Sequence, residues 1–474
     1  MEHYRSSHQS PGYLLVLVLV FGAVFLVLIS SFVGYVITQN QVVKFRYDQA
    51  RATEIAEAGL NYYKWFLAHY PDDVTDGTGL PGPYVHVYND PEGGVVGEFS
   101  LSVSSSTYCG SVSAITVESA GHTYDDPTAV SVVSARYAKP TVAEYSFITN
   151  SAVWYGSDRV ITGPVHSNQG IRMDGSHNSF VGSGIPDWTC TSSFGCSPDQ
   201  TVDGVYTTSG NATPGLFSFP ISPVDFAGIT LDLSDMKDRA QNSGGIYYGP
   251  SGGYGYRVTF NSNDTVTIRR VNNTSTYWAY SDTEGWHTSE RNVISNTTLL
   301  GTVAINASCP LLYFEDKVWI EGDIGMKVAL AAANLSLGAQ TNIVINSDVE
   351  YVPGTQAGLI AIAEDDIDIG LIVPDNMRVD GIYVAQNGRF GRNHYSTSNL
   401  SGSLDPYVKR DTLTRFGSVV SNGRVGTKWT SGGVWVSGFD NRYTSFDTDQ
   451  VDDPPPLTPE ISDVYDFTDW RQEG

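Results

Sequence analysis

The chain of 474 residues carries 51 acidic against 27 basic residues, which gives a formal net charge of −24 and a sequence pI of about 4.6. Such a field repels phosphate backbones, so binding to nucleic acid has no electrostatic basis. Charged residues make up only 16% of the chain and Tyr occurs 28 times, a pattern typical of extracellular β-rich proteins rather than of disordered acidic tails.

Near the N-terminus the sequence carries a candidate membrane span. Residues Tyr13 to Ile37 form an uncharged apolar run, which exceeds the roughly 20 residues needed to cross about 30 Å of hydrocarbon. The run is also longer than the apolar region of a cleaved secretory signal, which has about 7 to 15 residues. It therefore predicts a retained transmembrane helix over 13–37.

The same helix is predicted to continue as an amphipathic surface helix over 38–70. No proline interrupts the sequence, and apolar or small residues recur at the spacing of one helical face. These residues are Phe45, Ala52, Ile55, Ala56, Gly59, Tyr62, Tyr63, Phe66 and Leu67. The helix should end near His69, because Pro71 follows and the residue before a proline disfavours the α region.

This N-terminal region resembles type IV pilin-like proteins. The stretch Ala56-Glu-Ala-Gly-Leu60 resembles that of PilX-like minor pilins, and residues 1–12, ending Ser-Pro-Gly, resemble a prepilin leader. The resemblance implies cleavage between Gly12 and Tyr13, and assembly with other pilin-like subunits and the pilus assembly machinery. It also implies a single-pass cytoplasmic-membrane protein with an extracytoplasmic C-terminal domain, exposed on a pilus or the cell surface after assembly.

Two features depart from this picture. Members of the family usually carry Glu at the fifth mature position, where this chain has Leu17; members that lack it tend to be minor or tip subunits. In addition, Lys44, Arg46 and Arg51 follow the span, so the positive-inside rule alone would favour a cytoplasmic domain. Cysteine usage and the resemblance favour export.

Residues 71–144 are predicted to form a small antiparallel sheet. The segments 97–103, 114–120 and 130–137 largely alternate apolar and polar residues, which is typical of half-buried strands. A strand meander after a long helix indicates a helix packed on an antiparallel sheet. Pilin-like proteins share this arrangement, so the expected fold class combines α+β and all-β parts.

A parallel β-solenoid-like domain is predicted over 145–183 and 312–440, followed by a Pro-rich, acidic tail over 441–474. Residues 328–338 match residues 360–370 in their apolar positions at an offset of 32, and 163–168 match 417–422. Short strands that repeat at such a period suggest stacked coils. A β-sandwich with accidental similarity is the alternative. The amino-acid sequence of these segments also resembles that of large pilus-assembly-like proteins with a β-helical ectodomain.

Residues 184–311 are predicted to be an inserted α+β module. Within it, Tyr256–Phe260 and Thr265–Arg270 indicate a hairpin around a polar turn. The Tyr-rich stretch 245–256 is either an exposed adhesive loop or a turn with its aromatic rings packed beneath it.

Four cysteines suit an exported domain with disulfide bonds. Cys190 and Cys196 can close a small loop, which leaves Cys109 to pair with Cys309. Zinc is disfavoured because no CxxC spacing occurs. Four buried free thiols are the alternative.

One acidic cluster is a candidate chemical site. Its members are Glu364, Asp365, Asp366 and Asp368. Carboxylates on solenoid coils could bind calcium or cleave polysaccharide, but a solvated acidic turn explains one linear cluster better. No catalytic residues are predicted.

The sequence therefore favours a non-enzymatic, pilin-like minor or tip subunit that displays a β-rich head for assembly or adhesion, with a surface or glycan ligand as a further partner. Two alternatives stay open. One is a membrane-anchored carbohydrate-active enzyme, and the other is a surface-anchored protein outside any filament.

Overall fold

The structure is a computed structural model that describes residues 12–71, 73–91, 93–282, 284–335, 341–400, 402–462 and 464–473. The proposed leader before Gly12 therefore lies outside the described residues. The chain divides into two compact units. The first contains residues up to 104 together with 116–135 and 470–474, and the second contains 105–115 and 136–469.

The chain opens with one long helix and four strands: α1 (Gly12–His69), β1 (Tyr84–Asn89), β2 (Val95–Tyr108), β3 (Ser111–Thr123) and β4 (Val130–Ala138). Next come β5 (Phe147–Thr149), β6 (Val153–Tyr155), β7 (Arg159–Thr162), β8 (Val165–Ser167), β9 (Ile171–Met173), β10 (Ser176–His177), β11 (Val181–Ser183), β12 (Asp187–Cys190), β13 (Gln200–Asp203), β14 (Val205–Tyr206), β15 (Phe217–Ser218), α2 (Phe226–Asn242), β16 (Ile246–Tyr248) and β17 (Tyr256–Asn261).

The remaining elements are β18 (Thr265–Ser281), β19 (Gly285–Ala304), β20 (Leu311–Phe314), β21 (Val318–Ile324), β22 (Lys327–Ala332), β23 (Ile343–Tyr351), β24 (Gly358–Ala363), β25 (Ile367–Ile369), β26 (Asn376–Asp380), β27 (Ile382–Ala385), β28 (Phe390–Gly391), β29 (Lys409–Phe416), β30 (Val419–Ser421), β31 (Lys428–Ser431), β32 (Val434–Ser445), α3 (Thr448–Asp452) and β33 (Asp466–Glu473). Short 3-10 helices occupy Val142–Glu144, Ser192–Phe194, Pro214–Leu216 and Asp405–Tyr407.

The helix α1 packs its C-terminal half on a five-stranded sheet of order β1-β2-β3-β4-β33. The predicted apolar face is largely buried, from Ala52 to Leu67. Glycine allows the close approach: a Cβ on Gly121 would lie 2.5 Å from both the Ala52 carbonyl oxygen and the Ala56 nitrogen. The predicted helix end at His69 and the helix-on-sheet arrangement are confirmed.

Two large, mostly parallel sheets build the second unit. The ten-stranded sheet has the order β15-β11-β8-β5-β30-β27-β24-β22-β20-β16, and the thirteen-stranded sheet has the main order β10-β7-β32-β29-β26-β23-β21-β17-β18-β19. From β20 to β25 successive strands alternate between these sheets, and from β5 to β11 they cycle through both and a three-stranded sheet of order β14-β9-β6. Both patterns are expected of stacked coils. A large apolar core between the sheets includes Phe314, Ile345, Leu359 and Phe390. The predicted fold class is confirmed.

The coils do not stack in chain order, and the stack is called permuted for that reason. The chain enters the ten-stranded sheet at β5 in its middle and runs through β8 and β11 to β15 at one edge. It then restarts at the opposite edge with β16 and proceeds until β30 lies beside β5. The segment 184–311, predicted as an insertion, contributes β15 and β16 to the ten-stranded sheet, β17 to the thirteen-stranded sheet and β14 to the three-stranded sheet. It also adds the long antiparallel hairpin β18–β19.

The internal similarities locate neighbouring coils with different accuracy. Val165 and Val419 both pair with Phe147, so the matched segments 163–168 and 417–422 occupy equivalent positions on either side of β5. In contrast, Val328 pairs with Leu359, an offset of 31 rather than the predicted 32. The predicted register is wrong by one residue because almost every position of β22 and β24 is buried, so the apolar pattern does not fix it.

Candidate functional site

The apolar half of α1 is the first candidate functional surface. Within the described ranges, α1 is the one helix long and apolar enough to cross a membrane, and its most apolar window is fully exposed. At ~1.5 Å per residue its 58 residues reach about 87 Å. Tyr13 is 75% exposed and Leu17 is 38% exposed, so the stem presents an uninterrupted apolar surface here.

Gly12 and Tyr13, the predicted processing site, lie at the first turn of α1. A Cβ added at Gly12 would meet no atom of the described residues within 4 Å.

Asparagine side chains mark one corner of the coils in the second unit. Asn168 Nδ2 donates to Asn150 Oδ1 at 2.9 Å, and Asn150 Nδ2 donates to Asn422 Oδ1 at 2.7 Å. Asn422 Nδ2 continues the series to the carbonyl oxygen of Asn387 at 2.9 Å. This ladder connects four neighbouring coils, those of β8, β5, β30 and β27, and explains why Ser-Asn follows the strand in both matched segments.

The acidic cluster is part of the coil architecture. Glu364 accepts a hydrogen bond from the Asn334 backbone N–H at 2.9 Å, and Asp366 accepts one from the Arg389 backbone N–H at 2.6 Å. Asp368 faces the Arg389 guanidinium at 3.4 Å. Glu364 and Asp368 are buried, so the expected solvated turn is instead a half-buried one whose carboxylates bind neighbouring coils.

Asp365 is the electrostatically unusual member of this cluster. Burial, followed by the charges of Asp366, Glu284 and Glu364, raises the pKa of Asp365 to about 6. In the described ranges, no group of three or more His, Cys, Asp or Glu side chains is arranged to hold a metal ion. The cluster therefore provides one carboxyl group with a raised pKa rather than a convergent catalytic pair.

Both cysteine pairs are joined. Cys190 and Cys196 form a disulfide with an S–S distance of 2.02 Å, and Cys109 and Cys309 form one of 2.01 Å. The Cys109 carbonyl accepts a hydrogen bond from Arg239 of α2 at 2.8 Å. Both bonds lie within the second unit.

The Tyr-rich stretch 245–256 packs inward. Tyr248 stacks on Phe314 with ring centroids 5.6 Å apart, and Tyr256 is 5% exposed with its hydroxyl donating to the Gly249 carbonyl at 2.6 Å. Of the two alternatives predicted for this stretch, the structure shows the turn with its aromatic rings packed beneath it.

A polar groove that sequence reasoning missed lies along β19. Its volume is about 300 Å³, and its lining consists of 292–297 together with Arg257, Asn346, Gly370 and Ile372. Glu321 fixes two of the lining side chains, because it accepts hydrogen bonds from Arg257 Nε at 2.8 Å and Asn346 Nδ2 at 2.6 Å. No sequence signal marks the groove, since its residues come from distant strands that only the coil stacking brings together.

Asn292 is the unusual lining residue. It is 2% exposed; its Oδ1 accepts from Lys317 Nζ at 2.7 Å and its carbonyl oxygen accepts from Trp319 Nε1 at 2.8 Å. Its Nδ2 has no hydrogen-bond partner within the described part of the chain. A buried amide donor without a partner is costly unless something binds it.

An aromatic cluster fixes the tip of the β18–β19 hairpin. Tyr280 and His394 exchange two backbone hydrogen bonds of 3.0 and 2.9 Å. Around them, Trp286 lies 5.2 Å from the His394 ring and Trp429 lies 5.4 Å from the Tyr280 ring. Burial lowers the pKa of His394, which favours its neutral form. Trp286 remains 47% exposed, so part of this cluster faces solvent.

Comparisons with known proteins give limited information. No family model and no curated protein match the sequence. Among solved structures, the chain is similar to the competence-associated pilin ComZ from Thermus thermophilus, with a TM-score of 0.28 and 13% identity over 90% of this chain and 98% of that one. A similarity this distant carries no argument about function.

Proposed function

We propose that this protein is a non-enzymatic, membrane-anchored, pilin-like subunit that displays a large β-rich head. One observation carries the proposal: a single helix exposes an apolar N-terminal half and buries its amphipathic C-terminal half on an antiparallel sheet. An exposed apolar helix of this length needs lipid or other apolar helices around it in order to remain soluble. A membrane before assembly and neighbouring stems after assembly would both provide that environment.

The proposed role is that of a minor or tip subunit. Leu17 replaces the acidic residue that pilin-like chains usually carry in the stem, so no buried carboxylate is present at that position to pair with a neighbouring N-terminus. A head of more than 300 residues in the second unit would also crowd a fibre built from many identical copies.

Processing provides the first test. N-terminal sequencing of the membrane-bound protein should begin at Tyr13, and Gly12→Leu should abolish cleavage without affecting the fold, because its side chain meets open space. A wild-type protein that begins at Met1 would contradict processing. Immunogold labelling on pili would support the filament role, whereas labelling confined to the cell body would favour a surface protein outside any filament.

We further propose that the groove along β19 recognises a neutral glycan. Supporting features are its volume and the fixed polar side chains of Arg257 and Asn346 in its lining, which together suit a ligand rich in hydroxyl groups. The acidic cluster does not suggest hydrolysis, because three of its four carboxylates engage backbone amides or Arg389.

A glycan array on the detergent-solubilised full chain tests this proposal. Ile372→Trp should fill the groove and lower binding of any hit at least tenfold. Leu299→Trp, at an exposed position of β19 outside the lining, should leave binding unchanged. An array without hits, or equal binding by both variants, would refute glycan recognition here.

A further inference from the structure

Three arginines point into the interior of the second unit, where the last coils meet the first. Parallel pairing places Arg442 of β32 directly beside Arg159 of β7, and Arg415 lies on the adjacent strand β29. Side chains alternate along a strand, so the exposure of Val160 and Tyr443 directs Arg159 and Arg442 inward. The exposed fractions of Arg159, Arg415 and Arg442 are 3%, 4% and 9%.

Aromatic rings hold two of these cations close together. The Cζ atoms of Arg159 and Arg415 lie 5.0 and 4.5 Å from the centroid of the Phe147 ring, so they are at most about 9.5 Å from each other. Arg159 also lies 5.4 Å from the ring of Tyr155, which is fully buried. Burial, followed by the charges of Arg442 and Arg415, lowers the pKa of Arg159.

Negative charge does not balance this cluster. Asp158 is the nearby carboxylate, and Arg442 Nη2 binds both of its oxygens at 2.8 Å. Lys428 binds the same carboxylate at 2.7 Å and Asp440 at 2.8 Å, so these two carboxylates face four cations: Arg159, Arg415, Arg442 and Lys428. Within the described ranges, the Arg159 guanidinium makes neither a hydrogen bond nor an ion pair, and only the backbone of Arg159 is hydrogen-bonded. An isolated buried guanidinium is costly by several kcal/mol unless a counter-charge accompanies it.

Several donors in this region have no partner. The buried Nε atoms of Arg159 and Arg442 and the hydroxyl of Tyr155 make no hydrogen bond to the described residues. Two are cationic N–H groups, and the third is an O–H group next to Arg159. Donors without acceptors beside uncompensated positive charge form the complement of an anion.

We infer that the second unit binds a small inorganic anion, such as chloride, between Arg159, Arg442 and Tyr155. The ion would neutralise part of the buried charge and accept the unpartnered hydrogen bonds. It would lie where β32, at the end of the coil series, pairs with β7 near its beginning. Its role would be to stabilise the joint that closes the permuted stack.

Thermal unfolding of the full chain in detergent tests the inference. Tryptophan fluorescence is followed while sodium chloride is replaced by sodium gluconate at constant ionic strength, since gluconate is too large for an enclosed site. Chloride should raise the melting temperature in a saturable manner by a few degrees, on the order of 3 °C. Equal melting temperatures in the two salts would overturn the inference.

Variants connect the effect to this site. Arg159→Leu should abolish the difference between chloride and gluconate, whereas Arg270→Leu, which removes an exposed arginine of the β18–β19 hairpin, should preserve it. If Arg159→Leu does not fold, Tyr155→Phe should raise the half-saturating chloride concentration about tenfold through loss of one charge-assisted hydrogen bond. An unchanged chloride response in either Arg159→Leu or Tyr155→Phe would refute the site. Crystals grown in bromide should show an anomalous peak beside Arg159.

Discussion

The two disulfides close loops of very different length, and their removal should therefore destabilise the second unit by different amounts. Cys109 and Cys309 are 200 residues apart in sequence, whereas Cys190 and Cys196 are 6 apart. In the chain-entropy description, a crosslink restricts the unfolded chain by a constant plus a term in the logarithm of loop length. At 25 °C this gives about 5 kcal/mol for the long loop and about 2 kcal/mol for the short one.

The double variant Cys109→Ser/Cys309→Ser should thus lose about 3 kcal/mol more free energy of unfolding than Cys190→Ser/Cys196→Ser. Urea unfolding of the full chain in detergent, without reductant, measures the difference. Tryptophan fluorescence is a suitable probe because Trp319 is fully buried in the unit that holds both bonds. The two variants serve as controls for each other, since each removes two cysteines.

Equal midpoint shifts, or a larger loss from the short loop, would refute the loop-length reasoning. Thiol labelling of the unfolded wild-type protein checks the premise independently. Four reactive thiols after purification without reductant would show that neither bond forms, which would also remove the cysteine argument for export.

Two further predictions concern packing and pH. Gly121→Val should destabilise the first unit by about 3 kcal/mol or more, because its Cβ would lie 2.5 Å from backbone atoms of α1. The control Gly301→Val should cost little stability, because its Cβ would have nothing within 4 Å. Circular dichroism melts of both variants check this difference. For Asp365, the folded pKa of about 6 exceeds the unfolded value, so stability should fall as pH rises from about 4 to 6. Asp365→Asn should therefore gain on the order of 1–2 kcal/mol relative to wild type at pH 7.5 but not at pH 4, and an equal difference in melting temperature at both pH values would contradict this.

The stem and the strand-rich head could be predicted because their signals are local. An uncharged run predicts the apolar half of α1, and apolar residues on one helical face predict the buried half. Pro71, just after His69, predicts where the helix ends. The hairpin of β17 and β18 was likewise found from alternation around a polar turn, and Asn261 pairs with Thr265 as that pattern requires.

The order of the coils could not be predicted in the same way. Paired residues of neighbouring strands in the parallel sheets are separated by anything from 16 positions, between β8 and β11, to 283 positions, between β7 and β32. Sequence similarity correctly related 163–168 to 417–422, but it gave no indication that Phe147 lies between them. The polar groove shares this origin, because Arg257, Asn292 and Asn346 meet only after the coils have stacked.

The interior arginines show why alternation alone does not identify the inner face of a strand. In Arg159-Val160-Ile161 and Arg442-Tyr443-Thr444, a sequence pattern cannot decide which parity faces the core, and a one-residue change of register would exchange the two sets. The structure buries the arginines and exposes Val160 and Tyr443, the reverse of the ordinary hydrophobic preference. Because this arrangement is unfavourable for an isolated chain segment, the surrounding coils must impose it. Two adjacent strands thus both bury an arginine and expose an apolar or aromatic neighbour, which indicates a partner that compensates the buried positive charge. The proposed anion between the two guanidinium groups is such a partner.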